Sequence, residues 1–543
     1  MMRKITEAQV YFFLTKISSF NLFVLSVILL VGGAMSPAVA QSQSEVQAEA
    51  LKVIAQLPDR ALSLELVLAL AAERSDSIKA IRAGEKVIHL PLLQAGASLE
   101  PRAILGAQRL SDRTQPANPF SPSRNETNQF SAGLFKATTW GSELGFEVSQ
   151  GYSDIGFAAS SPFTIPPYYE SKASLSVTQS LGANRLGYST RRQLQSAGLQ
   201  VRANALQLEE ALEEWAQSMA GVFYSTWLAQ RQAQAAQESL QRRIRLRRTV
   251  QVGLNRGTVE EADFFQVEAA VLLNENQSRQ ALQVLGDRWR DLIFSLRLPQ
   301  QWQSTPLLEI PLRLDEVVEP AKKLCANRER EEVSRKSLAL RYQNLLQESA
   351  QLEVDRAQHE LQPKLELQGR YFINAIESER SQSLNSLGQG DHRGWSLGIQ
   401  LVIPFDFSLE KMQLAQALSQ QIRSEALFSQ QQTQDQVSWT NECANLARLA
   451  QDRLNLERAL DFQRRRVQQE DRRFQLGRTT VFSLIQAADD LTQAELNMST
   501  FEVEVRQASW RVLALAGQVN VRLETIVQDQ TQALKQGGLQ GVL

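Results

Sequence analysis

The sequence has little of what catalysis or metal binding needs. It holds 2 cysteines and 3 histidines in 543 residues. His89, His359 and His392 are scattered, with no carboxylates at ligand spacing, so no metal site is expected. No nucleophile elbow, phosphate-binding loop or dinucleotide glycine pattern occurs, so neither an enzyme nor a cofactor is expected. A formal charge of −1 gives no reason to expect nucleic acid as a partner. Past the N-terminal segment, no apolar run reaches the roughly 18 residues of a membrane helix. Any membrane crossing is therefore left to β-strands.

The N-terminal segment itself reads as an export signal. Met1-Met2-Arg3-Lys4 supplies a basic start, an apolar run follows from about Phe20 to Val31, and Ala38-Val39-Ala40 supplies the cleavage pattern. Residues 1–40 are the expected signal peptide, with an uncleaved anchor as the competing reading. No cysteine follows the site, so no lipid anchor is expected.

What is abundant is heptad periodicity. After Gly477, one register holds Leu484, Leu491, Met498, Val505 and Val512, and another Ala487, Ala494, Phe501, Ala508 and Leu515. Residues from Tyr188 to about Val250 keep two registers as well, through Trp215, Val222 and Ala229 and through Leu212, Met219 and Ala233. Sixty-odd residues at about 1.5 Å each make a helix roughly 90–100 Å long, which no compact domain holds. Each long helix ends at a glycine followed by a second helix. Around Gly257 and Gly477 the same order recurs: glycine, a polar turn, a large apolar pair, then glutamine, as Phe264-Phe265-Gln266 and Leu484-Ile485-Gln486. The chain therefore reads as a tandem repeat with a period of 220 residues.

Between the helices lie segments of alternating polarity. Leu175, Val177 and Leu181 alternate with Ser174, Ser176, Thr178 and Ser180, and Leu397, Ile399, Leu401 and Ile403 share one face. A soluble half-buried sheet and a barrel with lipid outside and water inside both produce this pattern. The extreme helices and the aromatics near the strand ends (Trp140, Tyr152, Tyr168, Tyr169, Tyr371, Trp395) favour the barrel. The expected organisation is a first repeat over 41–298, with strands within 99–181. A proline-punctuated linker follows over 299–314, then a second repeat over 315–517 with strands within 363–403. The tail, 518–543, has no periodic signal. Phe130–Ser149 reads as a hairpin about Thr139-Trp140-Gly141, and Asn374–Arg393 as a loop.

This order resembles the TolC-like outer-membrane efflux family. The resemblance is carried by L-S-L-E-L-V-L-A-L-A-A-E-R and its echo L-D-E-V-V-E-P-A-K-K-L-C-A-N-R, by L-Q-P-K-L-E-L-Q-G-R-Y, by W-S-L-G-I-Q-L-V-I-P-F, and by the two glycine turns. It implies an α+β membrane protein forming a homotrimer. Each subunit would give strands to one β-barrel in outer-membrane lipid and long antiparallel coiled helices to a periplasmic α-barrel. It also implies an adaptor protein and an inner-membrane pump as partners, with no catalysis by the chain itself. A pore-free periplasmic scaffold or adaptor is the alternative. Well-known members carry aspartates six and nine residues after the second glycine, where this chain has Ser483 and Gln486; the matching first-repeat position is Asp263. The turn carries over and the acidic gate does not.

Two further features stand apart. Both helices entering the turns are basic, with Arg242 and Arg243 before Gly257 and Arg465 and Arg466 before Gly477. They read either as solvated helix faces or as a collar that contacts an adaptor or attracts anionic cargo. Cys325 lies 38 residues before Pro363 and Cys443 lies 39 after Pro404. If both prolines mark the membrane end of adjacent helices, the cysteines share one height, about 57 Å down. A disulfide or two buried free thiols would fit that geometry.

Overall fold

The computed structural model describes residues 61–115, 121–157, 164–298, 311–326 and 337–536. The expected signal peptide and most of the expected linker lie outside the described residues.

A two-residue strand, β1 (Leu62–Ser63), leads into α1 (Leu64–Arg74), α2 (Asp76–Ala83) and α3 (Leu90–Gly96). The helical stretch over 62–97 is therefore broken into three pieces. Ser75 takes an extended backbone after α1, and Pro91 sits in the first turn of α3, where its missing N–H costs nothing. Four strands follow: β2 (Arg102–Asp112), β3 (Arg124–Ala137), β4 (Ser142–Gly156) and β5 (Tyr168–Ser180). Then come α4 (Tyr188–Asn255) and α5 (Glu261–Leu296).

The second half opens with β6 (Leu312–Arg313), which pairs parallel with β1 through Leu62 and Leu312. It continues through α6 (Val318–Ala326), α7 (Leu338–Glu360), β7 (Lys364–Glu377), α8 (Arg380–Gln389), β8 (Arg393–Val402), α9 (Ser408–Gln475), α10 (Val481–Leu515) and α11 (Val519–Gln536). The long helices α4 and α9 each have 68 residues, and their return helices α5 and α10 have 36 and 35. Each long helix is about 100 Å from end to end.

Two segments differ from what the sequence pattern suggests. The segment Asn374–Arg393 is not a plain loop: β7 runs on to Glu377 and α8 follows, its Ser383 fully buried against the sheet. Between Asp315 and Leu361 lie two helices, α6 and α7; residues 327–336 are outside the described residues, and Ser337 caps the start of α7. The tail does carry a period. Val519, Leu523 and Ile526 recur at i, i+4 and i+7 and bury one face of α11 against α1 and α4.

That contact belongs to the main core, which sits at the waist of the molecule. Phe223, Tyr224, Trp289, Leu292 and Leu296 are fully buried there together with most of α1. Burial of each such side chain contributes about 1.5–3 kcal/mol, so the waist is where the chain holds itself together. Away from it, α4 runs beside α5 and α7, and α9 beside α10 and α7. Those packings use narrow seams, such as Ala229, Ala233 and Leu285.

Candidate functional site

The six long strands form one antiparallel sheet in the order β2-β3-β4-β5-β7-β8. The hairpin β3–β4 turns at residues 138–141, as expected, and is paired along its length on both sides. It widens the sheet. Pairing register fixes which residues share a face. Leu105, Ala132, Val148, Ala173 and Ile373 form one row, and Leu134, Phe146, Leu175, Tyr371 and Trp395 the next. Leu105, Leu134, Phe146, Leu175, Tyr371 and Trp395 are all exposed, as are Leu397, Ile399 and Leu401 further along β8.

The opposite face is mostly small and polar, with Ile104, Leu110 and Ile376 as exposed apolar exceptions. Ser131, Ser149, Ser174, Ser176 and Gln368 line it, with Gly106, Gly145, Gly394 and Gly398 interspersed. A Cβ on Gly145 would meet the Phe135 ring at 2.9 Å and one on Gly394 would meet Phe372 at 2.6 Å, so both rings fill the space a side chain would take. The apolar band runs obliquely, shifting toward the helical end of the strands from β2 to β8. Strands tilted to a barrel axis present a level band in this way. At about 3.3 Å per residue, the 14 residues of β3 and 15 of β4 exceed an apolar band of about 25 Å. The outer strands β2 and β8 each have one unpaired edge.

At the other end of the molecule, Gly257 and Gly477 close the long helices with φ of 70° and 67°, the left-handed conformation in which a Cβ is strained. Their hydrogen bonds match. Thr258 N donates to Gly253 O and Gly257 N to Leu254 O; Arg478 N donates to Arg473 O and Gly477 N to Phe474 O. This is the Schellman closure, built twice. The two turns lie together, since Leu246, Val250, Val267 and Val271 share one apolar cluster with Val481 and Leu484. Asp263 sits in the first turn of α5, where its charge complements the helix dipole. Thr480 Oγ1 accepts from Ser483 N at 3.2 Å and caps α10, and Gln486 Nε2 donates to Asp490 Oδ1 at 2.9 Å. Ser483 and Gln486 are thus engaged within α10.

The basic residues divide in two. Arg243 is 2% exposed; its guanidinium donates to Ile485 O at 3.1 Å and pairs with Asp489. Arg242 donates to Thr492 Oγ1 at 2.9 Å. These two tie the first half to α10. Arg465 and Arg466 remain at the surface, paired with Asp461 at 2.9 Å and Asp490 at 2.6 Å. The aspartates one turn beyond Gln486 thus serve as counter-ions in both arginine groups. Nothing in the sequence pairs α4 with α10, so this link was illegible there.

At the waist, Asp315 is buried and accepts from Tyr224 Oη at 2.6 Å and Trp510 Nε1 at 3.1 Å. Burial pushes its carboxyl above the usual range, and burial also raises the Tyr224 phenol. Cys325 and Cys443 are joined as a disulfide, Cα atoms 5.5 Å apart, which ties α6 to α9 beside Trp439, Leu446 and Phe501. Glu213 is buried under α11, close to the backbone of Val519 and Asn520, and burial pushes its carboxyl up to about 7. Trp215 and Trp289 are core residues, as their seam positions implied. No cluster of histidine, cysteine and carboxylate that could hold a metal exists among the described residues.

No family model matches the sequence, and no curated relative does either. Solved structures do match. VceC, an outer membrane protein from Vibrio cholerae, aligns at 13% identity with a TM-score of 0.62 over 84% of this chain and 96% of its own. The Campylobacter jejuni outer membrane channel CmeC aligns at 11% identity, TM-score 0.59, over 90% of this chain and 92% of its own. The Neisseria gonorrhoeae outer membrane channel MtrE, in its open state, aligns at 14%, TM-score 0.57, over 84% and 89%. The chain therefore has the TolC-like fold of outer-membrane efflux channels.

Proposed function

We propose that the chain is the outer-membrane duct of an efflux or type I secretion system, working as a homotrimer. The observation that carries this reading is the oblique apolar band on a sheet with two open edges. One sheet of six strands cannot enclose water, whereas three joined edge to edge, β8 to β2, would make eighteen strands. Barrels of about 16–18 strands leave an aqueous channel. The mostly small, polar opposite face suits the lumen, and the exposed apolar face suits lipid. The long helices would continue the path through the periplasm as an α-barrel, with Gly257 and Gly477 at its inner mouth. Opening that mouth requires the paired helices to splay, so the Arg243–Asp489 link would have to break or move with them. Energy comes from an inner-membrane pump, reached through an adaptor at the helical tips.

Purified protein tests this in planar lipid bilayers. The duct reading expects ion conductance from heat-modifiable trimers taken from the outer-membrane fraction. A soluble, non-conducting monomer in the periplasmic fraction would favour the scaffold alternative and end the duct reading.

A further inference from the structure

We propose that α8 and the arginines beside it form a ledge that binds the phosphorylated headgroup of an outer-leaflet lipid. The inference rests on the membrane reading above and adds a site to it. Ser383 Oγ donates to Ser171 Oγ at 2.7 Å, Ser386 Oγ donates to Glu377 Oε1 at 2.9 Å, and Arg380 Nε donates to Gln150 Oε1 at 2.8 Å. Gln150, Ser171 and Glu377 all lie on the face that carries Leu175, Tyr371 and Trp395. The helix is therefore laid on the outward side of the sheet, at the ends of the strands furthest from the long helices.

Hydrocarbon would not tolerate it there. Arg380, Gln382, Asn385 and Gln389 are all exposed. At headgroup depth the same helix fits, with polar groups in the interface and Trp395 marking the apolar boundary just below. Two charges on this ledge are unspent. Arg380 and Arg393 are exposed and have no carboxylate within ion-pair distance among the described residues, whereas Arg113 and Arg124 nearby pair with Glu126 and Asp154. Glu377 and Glu379 turn to neutral donors instead, accepting from Ser386 and Gln382. Arg393 pairs in register with Ile373 on β7 and Arg380 reaches Gln150 on β4, so the two guanidiniums stand over different strands of the same face. A guanidinium fork matches a phosphate monoester in two parallel hydrogen bonds.

The test uses the full-length protein in nanodiscs containing either diphosphoryl lipid A or its dephosphorylated form, with retained lipid counted by native mass spectrometry. The wild type should retain the diphosphoryl lipid and release the dephosphorylated one. An arginine near an anionic surface is worth about fivefold in affinity, so R380Q/R393Q should lose retention roughly 20-fold, while R380K/R393K, which keeps the charge and loses the fork, should fall between that variant and the wild type. R113Q, whose arginine is already paired, serves as the control and should match the wild type. Equal retention by R380Q/R393Q, or retention that ignores phosphate, would overturn the ledge while leaving the duct intact. Failure of the wild type to fractionate with the outer membrane would overturn both.

Discussion

The two long helices have the same length and opposite surroundings. Of 68 residues each, α4 buries 22 and α9 buries 5. The helix α4 is interior, flanked by α5, α7 and α10 and crossed at the waist by α1 and α11. By contrast, α9 lies at an edge and leaves Ile422, Leu454 and Phe462 at 66%, 58% and 65% exposure. At the opposite edge, α5 leaves Phe265, Leu272 and Leu273 similarly bare. Helical stability in water comes mostly from packing an apolar stripe, and in the proposed trimer a 68-residue edge helix would find that packing against a neighbouring copy. The single chain is a finished waist with two unfinished sides.

The largest expected effect separates those regions. Trp289→Ala, in the waist, should lower unfolding free energy by about 3–5 kcal/mol. Phe462→Ala, on the edge of α9, should change monomer stability by no more than about 0.5 kcal/mol yet weaken association. Denaturant titration beside size measurement checks both, and equal losses of stability would break the comparison. Next comes the disulfide, which adds a covalent hold where α9 buries Trp439, Leu446 and Leu449. Cys325→Ser with Cys443→Ser should cost about 2–4 kcal/mol, read from the same titration. An unchanged midpoint would mean that α9 is held by packing alone.

The docking of α11 offers a smaller, pH-dependent effect. Glu213 has a carboxyl raised to about 7 from an ordinary 4.5, so the folded chain holds the proton more tightly than the unfolded one. The charged form is a standing penalty above pH 7, relieved as pH falls from 7 toward 4.5. Glu213→Gln should remove that dependence and raise stability above pH 7 by about 1–2 kcal/mol, allowing for solvent screening. Melting curves at pH 5 and pH 8 read it; a variant less stable at pH 8 would contradict it. The smallest stability change belongs to Arg465→Glu with Arg466→Glu, about 1 kcal/mol or less, because both pairs are exposed. Their expected consequence is weaker adaptor docking, and wild-type export by the variant would remove the collar.

How much of this the sequence discloses depends on the range of the interaction. The helices and glycine turns are local: heptad seams and a left-handed glycine are written in neighbouring residues. The sheet is legible because one of its faces stays mostly polar. The tail helix was also legible in Val519, Leu523 and Ile526, but a search for heptads passes over three residues. Nothing local announces α8, since its anchor is a serine buried by a distant strand. The Arg243–Asp489 pair, separated by 246 residues, and the Tyr224–Asp315–Trp510 cluster arise only when the halves pack together.

Edge-to-edge crosslinking tests most directly whether three copies close what one leaves open. Cysteines placed at Leu105 on β2 and Leu397 on β8, oxidised in isolated membranes, should yield covalent dimers and trimers and nothing larger. Monomers alone, or a ladder continuing past three, would contradict that closure.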